Sequence, residues 1–429
     1  MKKYIDKAKN IYKNQGSKVL AKKFVRFGKT KIAEVVYPRL LTKGYRELLD
    51  EYSFISNPIF QITSEDIASS DESISRKLPR DIKTANWFVP NFDHIKFGGI
   101  YTIFRFIEKM SIEGVTNRII IYDKPSFDLT KLRTQISENF PKLINYEFII
   151  FDHANQSVDE LPESDIAICS FWVSAYLLLK FNKTKRKYYF IQDYEPLFYP
   201  GGSTYALAES TYRFGFRAIV NTPGLLAAVN QRHGMEGISF VPAVDKSIYY
   251  PDAEKNNERT KIFFYARPNN PRNAFNLGME IIKQLIDKYG DSIEVITAGS
   301  EWKESTYGLR DKITNLGLLG SLKQVGELYR QCDIGFVYML SKHPSYQPFE
   351  FMASGMATVT NNNEDNLWLL KHEDNCLLSE PSAAAMVEQI SRLIDDKDLR
   401  NKITGNALKS VDSDWVKQTD LIWNDIKSY

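Results

Sequence analysis

Two arginines five residues apart are the first side chains here whose types and spacing suit chemistry: Arg267 and Arg272 in "KIFFYARPNNPRNAFNLGMEII" (261–282). An apolar run, Ile262 to Tyr265, stops at Arg267, and an amphipathic pattern follows Arg272. The pattern predicts a strand and then a helix with Arg272 in its first turn, where the missing N–H of Pro271 costs nothing. A helix N-terminus favours anions. Two guanidiniums at one spot suit a diphosphate, because each donates bidentate hydrogen bonds. By spacing alone, two solvated surface arginines explain the pattern as well. The next candidate is Glu350 in "HPSYQPFEFMASGMATVTN" (343–361). It opens a helical pattern that follows a strand and that Gly355 ends. Helix capping explains a carboxylate there; so does hydrogen bonding to sugar hydroxyls beyond a strand's carboxyl end.

The elements that must position these residues alternate along the chain. Strands are expected at 86–89, 117–123, 146–152, 165–171, 187–193, 216–222 and 238–243, with helices between most of them, among them 99–110, 172–181 and 203–214. A polar, proline-containing segment at about 244–260 reads as a linker. Alternation then resumes with strands at 261–266, 293–299, 333–339 and 357–361, a helix around "SAAAMVEQISRLID" and a last amphipathic helix. This is α/β: two Rossmann-like doubly wound domains facing a cleft, with ligands beyond the strands' carboxyl ends. The expected division is a basic helical arm and connection (1–82), an acceptor domain (83–245), a nucleotide-sugar domain (246–410) and a C-terminal helix (411–429) packing back on the first domain. Within the first part, the Ser- and Glu-rich stretch 61–82 reads as a surface connection.

The 429 residues, 43% of them hydrophobic, suffice for two or three globular domains. Cys169, Cys332 and Cys376 lack CxxC spacing and read as buried reduced thiols, which implies a cytosolic setting. No run of 18 apolar residues suggests a membrane span, and the basic N-terminus lacks the apolar stretch of a secretion signal. Net charge is +3, but residues 1–46 hold 14 Lys or Arg against Asp6 and Glu34, so the arm is basic and the remaining body acidic. Such an arm suits an anionic surface, lipid head groups or nucleic acid. No nucleic-acid recognition motif accompanies it, so the expectation is either peripheral attachment to the inner face of the cell membrane or a surface helix packed on the acidic body. GxGxxG, GxxxxGK[ST] and GxSxG are absent, which argues against a dinucleotide oxidoreductase, a P-loop NTPase and a serine hydrolase. His94, His153, His233 and His372 have no metal-ligand spacing, and no metal is expected.

The series "FYARPNNPRN", "ITAG", "GLLGSL", "CDIGFVYML", "PFEFMASGMATVTN" and "NCLLSEPSAAAMVEQISRLI" resembles the C-terminal half of retaining family-4 glycosyltransferases with the GT-B fold. The resemblance covers about residues 84–429. It implies that Arg267 and Arg272 bind a donor diphosphate, with Arg272 replacing the family's lysine, and that Glu350 binds the nucleoside sugar ring. "KFGGIYTIFRF" is similar to the family's glycine loop, so Gly98 and Gly99 are expected under the donor near the acceptor. Many members carry a second glutamate eight residues before the first; Lys342 stands there instead. The segment "SKHPSYQPFE", with "IQDYEPLFYPGGSTYALAESTY" (191–212), resembles the WsaF-type bacterial rhamnosyltransferases. That subgroup implies dTDP-L-rhamnose as donor and a growing cell-surface glycan, lipid-linked in many bacteria, as acceptor. On the donor side Gly299, His343, Ser345, Tyr346 and Asn361 are expected. Tyr346 packs on base or sugar, or only lines the cleft; His343 donates to a phosphate. Asp193, after a strand, orients an acceptor hydroxyl or is a turn residue. The alternatives are a UDP-hexose donor on the same fold, and a non-catalytic sugar-nucleotide-binding subunit of a glycan-assembly complex.

Overall fold

The computed structural model describes residues 50–77, 81–92, 95, 98–122, 128–252, 255, 257–343 and 345–429. The basic arm, residues 1–46, and His94 lie outside them. Chain contacts divide the molecule into two units, residues 1–61 and 62–429. In the first, Asn57 caps a short 3₁₀ turn, Pro58–Phe60, and Phe54 packs on Phe60 with ring centroids 5.0 Å apart.

The second unit holds two all-parallel sheets. The first has seven strands: β1 Thr84–Val89, β2 Thr116–Ile121, β3 Tyr146–Ile150, β4 Ser164–Cys169, β5 Thr184–Ile191, β6 Arg217–Asn221 and β7 Gly237–Phe240, ordered β3-β2-β1-β4-β5-β6-β7. The second has six: β8 Thr260–Ala266, β9 Ile293–Gly299, β10 Thr314–Asn315, β11 Ile334–Val337, β12 Ala357–Asn361 and β13 Leu377–Ser379, ordered β10-β9-β8-β11-β12-β13. Central strands of such sheets are covered on both faces and read as near-continuous apolar runs. In β8, Ile262 and Phe264 face one core with Met279, Ile282 and Phe336, while Phe263 faces another with Tyr329, Phe351 and Met352. Successive side chains alternate across the sheet, so one apolar run serves two layers. In the first sheet Trp87 stands in register between Ile119 and Ile168 and donates its indole N–H to Asn117 at 3.1 Å.

Helices press these strands from both sides. Gly278 lets the helix Phe275–Tyr289 lie against the Phe264 ring, which a Cβ there would approach to 2.1 Å. The C-terminal helix, Trp415–Ser428, buries Ile422, Trp423 and Ile426 in the core of the first sheet. Arg217 of β6 holds its end through a bidentate bond to Asp425, at 2.9 and 2.7 Å, and a stack on Tyr429 at 4.3 Å.

The structure corrects several local expectations. The polar stretch expected as a connection holds a helix, Ser64–Ser75, started by a reciprocal Thr63–Asp66 capping box. Its contact face is small and polar: Ser73 donates to the carbonyl of Thr184, and Ser70 receives Lys187 at 2.9 Å. The expected helix 203–214 ends at Ser210 and continues as a 3₁₀ turn, Thr211–Arg213. The short strands β10 and β13 were not anticipated, since two or three residues carry no periodicity. Between β7 and β8 the described residues contain no helix or strand.

Candidate active site

Strand order reverses between β1 and β4 and again between β8 and β11. At such reversals the loops leaving neighbouring carboxyl ends part, and a crevice opens. A cavity of about 720 Å³ lies between the two sheets, within the range of small-molecule sites. Gly98, Thr102 and Arg105 line it from the helix Gly98–Ile112; Asp245 and Tyr249 from the connection between the sheets; Gly299 from the end of β9, Arg267, Glu301 and Tyr346 from the second sheet's loops and Glu350 from the helix Gln347–Ala353; Trp415 from the last helix.

Arg267 leaves the end of β8 and points a guanidinium N–H at the Tyr265 hydroxyl, 3.4 Å away. The end of β9 comes close enough to touch it because Gly299 has φ +144° and no side chain; a Cβ there would meet the Ala266 carbonyl at 2.5 Å. Glu350 sits in the helix Gln347–Ala353 and bonds the Tyr249 hydroxyl. Burial pushes its carboxyl up to about 7, with the Tyr249 bond opposing. Near neutral pH it is therefore poised between carboxylate and acid. Tyr346 reaches across to the first sheet: its hydroxyl lies 2.8 Å from the Thr102 hydroxyl and receives the Asn221 amide at 3.0 Å. Arg105 lies between the Tyr101 and Trp415 rings, 4.8 and 4.7 Å from their centroids.

Arg272 departs from expectation. It belongs to a 3₁₀ turn, Pro271–Asn273, and the helix begins only at Phe275, after Ala274 with φ +46°. Five residues from Pro268 to Arg272 with turn-forming Pro and Asn keep the chain out of the helix there. Its guanidinium pairs with Asp193 and packs 4.1 Å over Phe198. Asp193, in the loop after β5, accepts bonds from Arg272, from the Ser341 hydroxyl and, at 2.8 Å, from the Tyr194 N–H.

Beside them, Ser345 adopts φ +69°, a costly conformation for serine. It turns its N–H onto His343 Nδ1 at 3.0 Å. Nδ1 is thus an acceptor, and the neutral ring carries its proton on Nε2, which is buried with no partner among the described residues. Burial, with help from Arg272, depresses this imidazole to about 3 and keeps it neutral. Asn361 spends its amide on the backbone of Met339, at 2.8 and 3.1 Å. Gly99 offers its carbonyl to Gln192 at 2.9 Å. Lys342 pairs with Asp365 at 2.7 Å.

Of the residues anticipated from sequence, the cavity wall gathers Gly98, Arg267, Gly299, Tyr346 and Glu350. Gly99, Asp193, Arg272, His343, Ser345 and Asn361 are not part of that wall. Sequence reasoning missed Tyr249, because a tyrosine in a linker carries no motif. It also missed Thr102, Asn221 and Ser341, whose partners are 125 to 244 residues away. Among the described residues no group of His, Cys, Asp and Glu is arranged to hold a metal ion, and no helix is long and apolar enough to cross a membrane.

The chain matches the family model for the WsaF N-terminal domain over residues 85–222 and that for the WsaF C-terminal domain over residues 260–391. It is 40% identical over 343 residues to the O-antigen biosynthesis protein RfbC of Myxococcus xanthus, which covers 80% of this chain but only 27% of that protein. Among solved structures, sucrose-phosphate synthase from Thermosynechococcus elongatus superimposes with TM-score 0.63 at 12% identity, over 81% of this chain and 98% of the other. HepE of Anabaena, in complex with UDP and glucose, gives TM-score 0.63 at 15% identity, over 81% and 100%. Such likeness establishes the fold, GT-B, and the paired domain matches establish the kinship: this chain belongs to the WsaF-type glycosyltransferases.

Proposed function

We propose that the chain transfers L-rhamnose from dTDP-L-rhamnose, with retention, to a growing cell-surface glycan. The observation that carries this reading is the cavity at the strands' carboxyl ends, with Arg267 and Glu350 in its wall and Arg272 in the loop after β8. When a glycosidic bond to a nucleoside diphosphate breaks, negative charge develops on the departing diphosphate. Guanidiniums fixed in place stabilise that charge more than the ground state, without a reorganisation cost. Arg267 and Arg272 supply them in this reading, and the Nε2–H of His343 adds a neutral donor. Glu350, as carboxylate, accepts hydrogen bonds from the nucleoside sugar. In the front-face course this implies, a donor phosphate oxygen takes the acceptor proton.

The rhamnosyl donor is supported by Lys342. Where many relatives place a carboxylate that reads hexose hydroxyls, this chain has a lysine bound to Asp365. A 6-deoxy-L-sugar presents its hydroxyls differently and does not call for that carboxylate. The name of the relative RfbC supports a polysaccharide acceptor. Thermal unfolding with a panel of nucleotide sugars tests the assignment. A ligand at about 100 times its Kd adds about 2.7 kcal/mol to the folded state. dTDP-L-rhamnose should raise the Tm at lower concentration than UDP-glucose or UDP-galactose. Stabilisation by a UDP-hexose alone would transfer the assignment to that donor.

A further inference from the structure

The Arg272–Asp193 pair joins loops of different sheets: Arg272 follows β8 and Asp193 follows β5. Their side chains keep 25% and 10% of their exposure. Phe198, from the same β5 loop, covers one face of the guanidinium. Asp193 takes the Nη1 of Arg272, while the Nε lies 3.3 Å from Asn270 Oδ1; a diphosphate that draws on the full fork of N–H donors therefore competes with Asp193 for Nη1. A carboxylate this buried that loses its cation becomes an uncompensated charge, which is strongly unfavourable until another donor reaches it. Asp193 would not drift away, because Ser341 and the Tyr194 N–H hold it independently of Arg272. The donor it then needs is a hydroxyl, the group an acceptor sugar carries. Burial already holds the Asp193 carboxyl above its ordinary range, with Arg272 opposing.

Resting on the reading of Arg272 as a diphosphate clamp, we propose that Asp193 and the donor diphosphate are exchange partners for Arg272. The diphosphate takes the guanidinium, and Asp193, fixed by Ser341 and Tyr194, becomes the carboxylate that binds a hydroxyl of the acceptor sugar other than the one that reacts. Donor binding thus frees Asp193 for the acceptor.

Calorimetry with dTDP and, in parallel, UDP tests this on the whole chain, since both carry the same diphosphate. The variants are Asp193→Asn, Arg272→Ala and the double substitution, each checked by thermal melting. Asp193→Asn removes the competitor and should bind the nucleotide at least about fivefold more tightly, the lower end of typical coupling between sites. Arg272→Ala should bind at least about tenfold more weakly, as loss of a charged hydrogen-bond donor implies. The double variant should match Arg272→Ala, because Asp193 acts here only through Arg272. A purely structural role for Asp193 would not tighten binding. If Asp193→Asn binds equally or less well while Arg272→Ala is weakened, the exchange is wrong and the clamp stands. If Arg272→Ala binds normally, clamp and exchange both fall. A crystal structure of the unaltered chain with dTDP decides without any variant: Arg272 on the phosphates supports the exchange, and Arg272 still on Asp193 overturns it.

Discussion

Replacing Glu350 with Gln should stabilise the protein above neutral pH while weakening donor binding. Burial lifts this carboxyl from the usual 4.5 to about 7. Between those values the folded chain binds the proton more tightly than the unfolded chain. Stability from this group is therefore complete below about pH 4.5 and is lost as pH rises through 7. The interval of about 2.5 pH units, at about 1.4 kcal/mol each, sets the loss at roughly 3 kcal/mol. Gln stays neutral throughout, and its carbonyl still accepts the Tyr249 hydroxyl. The variant should match wild type near pH 4.5 and exceed it by up to about 3 kcal/mol at pH 8, a Tm gain of about 3–6 °C. Glu195, which burial lifts to about 8, and His343 titrate in both proteins and cancel in the difference. Paired melting curves from pH 5 to 8 measure it. A difference that is constant, or that shrinks as pH rises, would refute the burial argument. Calorimetry at pH 8 completes the test: unchanged donor affinity would leave Glu350 a packing residue.

Three further outcomes are expected. Arg267→Ala and Arg272→Ala should each lower kcat/KM by about 2–4 kcal/mol of transition-state stabilisation; wild-type turnover in both would remove the clamp. Tyr346→Phe deletes the hydroxyl shared by Thr102 and Asn221 and should cost about 1–2 kcal/mol of stability, read from chemical denaturation; no change would mean the bridge contributes nothing. The full chain should float with anionic vesicles at low salt, release at high salt, and stop floating once residues 1–46 are removed, each surface lysine contributing about 1 kcal/mol. Failure of the full chain to float would remove membrane attachment from the account.

The sheets were legible because strands buried on both faces leave unbroken apolar runs; β8 and β12 were read to within a residue. Their carboxyl ends followed, and with them Arg267 and Glu350. The helix Ser64–Ser75 escaped because its buried face is serine, which carries no hydrophobic period. Arg272, expected in the first turn of the helix, lies in a 3₁₀ turn before it, since Pro271 suits a 3₁₀ turn as well as a helix start. Its pairing with Asp193 spans 79 positions and no local rule reaches that far. The same holds for Tyr249 and Glu350, brought together only when the connection folds over the second sheet.

Transfer of the deoxyhexose leaves its mass on the acceptor, where it can be read. The purified chain is incubated with dTDP-L-rhamnose, UDP-glucose or UDP-galactose and a rhamnan-type acceptor, and the acceptor is then weighed. The acceptor should gain one deoxyhexose from dTDP-L-rhamnose and nothing from the others. A gain of a hexose, with none of a deoxyhexose, would contradict rhamnosyl transfer.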